Sequence, residues 1–260
     1  MANELVCKTT QRGLDPDSSG FCAVGRSADF PIALQQPFEG FSSLANGTRP
    51  GALHVTAELT GNVVHVVGRL LAVESDSARR QVELAHFVVP EASELPEAGP
   101  GWLAASSLFL AQWNGKPREI DEPVSIPTGT VAGRTASVWK QLTGSSQTAK
   151  RLASSVRNNE VVWIVYPSNV PILQLFLDAS QLLPSDERWN ATFCTDFDTE
   201  QFSQFESSSA GPVQCLWRGV PEGSREIAKL RVLEGARIVN LVKQVREHEA
   251  VSLDPASGGL

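Results

Sequence analysis

Six consecutive residues, Val161-Val162-Trp163-Ile164-Val165-Tyr166, form an unbroken β-rich apolar run. Such a run predicts a strand covered on both faces, and so one that lies centrally in its sheet. The residues that follow extend the pattern. Asn169 is placed to cap a helix from about Pro171 to Leu183, whose Ile172, Leu173, Leu175, Phe176, Leu177, Leu182 and Leu183 leave little polar face, and Pro184 ends it. Arg188 to Phe197 and Val213 to Val220 supply further strands, so residues 161 to 197 read as a β-α-β unit crossing right-handed between parallel neighbours. From about Glu222 to Glu249 apolar residues recur every three to five positions, which predicts one long C-terminal helix. Ser252 to Leu260 should be loose.

The first half of the chain reads differently. Glu4 to Thr10 and Phe21 to Gly25 predict a pair of strands across a turn-rich segment, and Pro31 to Leu44 predicts a helix interrupted by Pro37 and Gly40. Leu53 to Thr60, Gly61-Asn62 and Val63 to Leu70 predict a hairpin about a two-residue turn. With the turn at Gly61-Asn62, Val55, Ala57 and Leu59 oppose Gly68, Val66 and Val64 on the core face, and Glu58 lies opposite His65. Arg80 to Val89 adds a strand, Pro90 to Leu95 a single helical turn, and Trp102 to Trp113 a short helix.

These elements define an α+β protein with a mixed, mostly antiparallel sheet, a β-α-β unit in the C-terminal half and a long C-terminal helix. Two prolines in the polar stretch Asp121 to Gly129 mark a lobe boundary. The expected organisation is a β-rich lobe over residues 1–128, an α/β lobe over residues 129–250, and a flexible tail over residues 251–260.

Composition narrows the function. With 42% apolar and 20% charged residues the chain has material for a core, and a net charge of −7 is the wrong sign for tracking nucleic-acid phosphates. No apolar stretch reaches 18 residues and no basic n-region opens the chain, so spanning a membrane and secretion are both disfavoured and the cytoplasm is the expected location. Cys7, Cys22, Cys194 and Cys215 are widely spaced and read as buried free thiols rather than as zinc ligands. There is no G-x-x-x-x-G-K-[ST], no G-x-G-x-x-G and no G-x-S-x-G, so no nucleotide or metal cofactor is expected. Asp196 and Asp198, two apart at a strand end, form either a cation or acid–base pair or a solvated turn.

Several ordered segments resemble a known family. They are Arg12-Gly13-Leu14 with Ser19 to Val24, Gly68-Arg69 with Glu83 to Val89, and Gly99-Pro100-Gly101-Trp102-Leu103. Trp113 to Arg118, Leu182-Leu183-Pro184 with Arg188 to Phe193, and Cys215-Leu216-Trp217-Arg218 complete the set. Together, over about residues 4 to 220, they are similar to the N-terminal domain, second type, of bacterial GTPase-associated proteins. That resemblance implies a conflict or signalling system, protein partners encoded in the same operon, and a GTPase among them. The expected function is a non-catalytic adaptor, with Ile238, Leu241 and Val245 on the C-terminal helix offered to a partner. The enzymatic alternative places a hydrolase site around His86, assisted by Arg80 and Asp76.

Overall fold

The computed structural model describes residues 2–45, 50–72, 79–122, 124–130, 135–230, 232–233 and 235–253. Strands β1 (Asn3–Thr10) and β2 (Gly20–Ser27) precede α1 (Ile32–Glu39) and a short β3 (Ser43–Ala45). The hairpin β4 (Gly51–Leu59) and β5 (Asn62–Ala72) continues into β6 (Arg79–Val89), α2 (Pro100–Ala105) and β7 (Arg118–Ile120). Then come α3 (Ser137–Thr143), α4 (Gln147–Arg157), β8 (Val162–Tyr166), α5 (Ile172–Ser180) and β9 (Phe193–Cys194). The chain closes with α6 (Thr199–Glu206), β10 (Trp217–Pro221), α7 (Glu226–Leu230), β11 (Arg237–Asn240) and α8 (Leu241–Leu253).

The architecture is α+β about one mixed sheet, of eleven strands among the described residues. Its order is β11-β8-β10-β9-β4-β5-β6-β1-β2-β7, with β3 beside β6. Most ladders are antiparallel, while β11, β8, β10 and β9 run parallel to one another. As the apolar run demands, β8 is buried along its whole length between β11 and β10. The β-α-β unit is present as β8, α5 and β9, with β10 lying between the two strands. One line of register crosses the whole sheet: Ile238, Trp163, Arg218, Cys194, Leu53, Gly68, Phe87, Leu5, Arg26 and Glu119 are successive partners.

Two large cores cover the two faces, and a smaller cluster of Val6, Val24 and Leu84 is separate from both. On one face α1 and α6 bring Phe38, Phe41, Phe202 and Phe205 against Phe87, with Phe38 and Phe87 centroids 4.3 Å apart. The ring of Phe87 lies over Gly68, where a Cβ would stand 2.6 Å from it, so this stacking requires glycine. On the other face α3, α4, α5 and α8 bury Trp139, Leu152, Phe176 and Leu241 against Ile164, Phe193 and Trp217. Asp178 on α5 accepts hydrogen bonds from the Val138 and Trp139 amides at 2.9 and 3.2 Å, capping α3 from outside its own sequence.

Several sequence expectations need correction. The hairpin turns at Thr60 (φ 51°) and Gly61 (φ 80°), because a tight turn with two left-handed residues places glycine second. Pairing shifts accordingly: Val55 opposes Val66, Thr56 opposes His65, and Glu58 opposes Val63 rather than His65. The single C-terminal helix is instead α7, β11 and α8. Gly235 in the left-handed region (φ 73°) breaks it, and Ile238 and Val239, β-branched, fill the slot beside β8. Helix α8 runs on to Leu253, into the expected tail. The helix over Trp102 to Trp113 stops at Ala105, the segment from Arg188 is a 3-10 turn before a two-residue β9, and residues 203–206 of what reads as a serine-rich loop from Ser203 to Gly211 belong to α6. Helix α5 starts from Pro171 at its N-cap, with no side-chain cap.

Candidate partner-docking site

At one end of the sheet, among the described residues, β11 pairs only with β8, so its outer edge has no described strand beside it. Near it lies a concavity of about 590 Å³ lined by Glu160, Val161, Trp163, Arg218, Leu233, Gly235, Ala236 and Arg237.

Arg218 forms its floor. The guanidinium carbon lies 4.9 Å from the Trp163 ring centre and 4.5 Å from that of Phe197, and Nε donates to the Cys215 carbonyl at 3.1 Å. The two rings meet edge to face at 5.1 Å, and the guanidinium carbon lies within cation–π range of both. Among the described residues no carboxylate pairs with Arg218. Arg237, at the rim, is paired with Glu160. Leu233 in the lining is 47% exposed, and two further apolar residues next to lining residues in sequence are exposed as well, Val232 at 78% and Ile238 at 43%. Together these features suit a partner segment that combines apolar side chains with a negative charge.

Of the three residues expected to face a partner, only Ile238 is accessible. Leu241 and Val245 are buried in the core on the opposite face of the sheet. The reason is the break at Gly235, which turns a continuous helical stripe into a strand followed by a helix.

The residues of the enzymatic alternative are placed as follows. His86 is 1% exposed; its Nδ1 accepts the Leu110 amide at 3.1 Å, and Nε2 donates to the Glu4 carboxylate at 2.8 Å. Both ring nitrogens are therefore engaged inside the fold. Arg80 lies in β6, and Asp76 is outside the described residues. Asp198 caps α6, its carboxylate accepting from the Glu200 amide at 2.9 Å, and pairs with Arg225, which also pairs with Glu200. Asp196 is buried, and among the described residues no group of His, Cys, Asp and Glu is arranged to hold a metal.

The four cysteines are free and buried. Burial raises the thiol pKa of each, that of Cys215 to about 12, so they are poor nucleophiles. Sequence reasoning missed Arg218 and Val232 as surface features. Arg218 stands 55 residues after Trp163 and gains its meaning only when β10 settles beside β8.

The fold is α+β, and among the described residues its mixed sheet ends at the parallel strand β11. Residues 139–243 match the family model of GTPase-associated protein 1, middle domain. The match covers less than half of the chain and links that part to the GTPase-associated proteins. It runs from Trp139 in α3 into α8, and so includes all four parallel strands and the whole of the concavity. No curated protein and no solved structure matches the chain. Among the described residues, no helix is long and apolar enough to cross a membrane.

Proposed function

We propose that this protein is a non-catalytic adaptor in a bacterial GTPase-associated conflict or signalling system, working in the cytoplasm with protein partners from its own operon, a GTPase among them. Residues 129–250 act as the partner-facing lobe and residues 1–128 as its support. The observation that carries this reading is the exposed trio Val232, Leu233 and Ile238 beside the unpaired edge of β11 and the stacked Arg218. The partner contributes an extended segment that adds to β11 through main-chain hydrogen bonds and sets a carboxylate on Arg218.

The test is calorimetric titration of the protein with the purified GTPase of its operon. Binding should weaken at least about tenfold in Ile238→Asp and in Arg218→Gln, the scale of losing a buried anchor or a charged hydrogen bond. Both variants should keep the wild-type melting temperature to within a few degrees. Binding by both variants at wild-type strength, or no binding by the wild type to any operon product, overturns the proposal.

A further inference from the structure

A second cavity lies on the opposite face of the sheet, between β5 and the start of α5. It measures about 270 Å³ and is lined by Pro50, Arg69, Pro171, Ile172, Leu173 and Gln174. Among the described residues of the lining, Arg69 is the one that carries a charge. The side chain projects from β5 toward α2, where Nη1 donates to the Ala104 carbonyl at 2.8 Å. Among the described residues no carboxylate pairs with it, and the side chain is half-buried. That desolvation pulls its pKa below the usual arginine value. A cation partly stripped of water and left without a counter-charge is costly, and an anion beside it removes the cost.

The remainder of the lining suits the same ligand. Helix α5 enters the cavity by its first turn, which carries no acidic side chain and no side-chain cap. The Ile172 amide is satisfied by the Val170 carbonyl at 2.9 Å. The amides of Leu173 and Gln174 come next at a helix start, where main-chain donors lack intrahelical acceptors. Pro50, Pro171 and Ile172 supply apolar walls, so the site accepts an oxyanion attached to a small organic body.

We propose that this cavity binds the phosphate group of a small phosphorylated molecule, with Arg69 as the principal ligand and the first turn of α5 completing the donor set. The site is separate from β11 and does not depend on the adaptor reading.

The test uses inorganic phosphate as the probe, titrated into the whole protein by calorimetry at ionic strength held constant with chloride, with acetate in a parallel arm. The expected result is saturable binding of one phosphate per chain and weaker binding of acetate. Arg69→Gln should weaken phosphate binding at least about tenfold, the scale of a lost charge-assisted bond. Leu173→Trp, which fills the cavity and leaves every charge in place, should do the same, and it decides the matter if Arg69→Gln fails to fold. No saturable phosphate binding by the wild type overturns the proposal, as does wild-type affinity in both variants. Acetate binding as tightly as phosphate overturns the assignment to phosphate.

Discussion

His65 donates its Nδ1 proton to Nε2 of His54 across 3.1 Å, beneath the edge of Trp189. The direction follows from the far side of His54, where Nδ1 lies 3.1 Å from the Ala191 carbonyl and must carry the proton. A neutral His54 then has only Nε2 left as an acceptor. Burial, with the neighbouring His65 adding to it, lowers the His54 pKa to about 3, and burial lowers that of His65 as well.

The relay makes stability depend on pH. In the unfolded chain His54 takes up a proton near pH 6.5, whereas in the fold it resists until about pH 3. The unfolded state therefore binds more protons between those limits. Stability is fully present above pH 6.5 and falls as pH drops toward 3, by up to about 4 kcal/mol if His54 acts alone. Urea titrations at a series of pH values should show this slope. His54→Phe should flatten it, and an unchanged slope in that variant would place the effect elsewhere.

Gly219, in the middle of β10, faces the Thr195 carbonyl oxygen so closely that a Cβ would stand 2.7 Å from it. The obstacle is backbone, held in turn by the Tyr166 hydroxyl donating to the same oxygen at 2.6 Å. Gly219→Ala should therefore destabilise the protein by about 2 kcal/mol or more, as overpacking does in a rigid setting. Thermal melting checks this. A shift no larger than that of Gly211→Ala, where nothing lies within 4 Å but φ is +66°, would show that the carbonyl can yield.

In the hairpin, Val66 is fully buried and Thr56 is partly open. Val66→Asp should cost several kcal/mol, because a charge enters the phenylalanine-rich core unpaired. Thr56→Asp should cost less than about 1 kcal/mol, as surface changes do. Equal shifts in melting temperature would contradict the register.

The faces of the hairpin were legible even though its turn was not. Moving the turn from Gly61-Asn62 to Thr60-Gly61 shifts every partner by two residues, and an even shift keeps each side chain on its own face. The C-terminal stripe was misleading for the opposite reason. Ile238, Leu241 and Val245 satisfy a helical spacing across a boundary where the chain changes from strand to helix, and only the vacancy beside β8 decides that Ile238 extends the sheet. Helix α6 carried a readable start, with Asp198 at the N-cap and Gln201 three residues on, yet the serines after it drew attention to a loop. Of the residues expected to face a partner, Ile238 is the one that the structure leaves exposed. The stacking of Arg218 on Trp163 and Phe197 was not, since three segments distant in sequence must first be placed side by side.

The line of register from Ile238 to Glu119 also makes the sheet a load-bearing strap. A pull on β11 is carried as shear from ladder to ladder, and a strap yields at its narrowest link. That link is β9, two residues long, with two partners on β10 and two on β4. Tension applied at the β11 edge would part the sheet at β9, separating β11, β8 and β10 from β4 and the strands beyond it while the longer ladders on either side held.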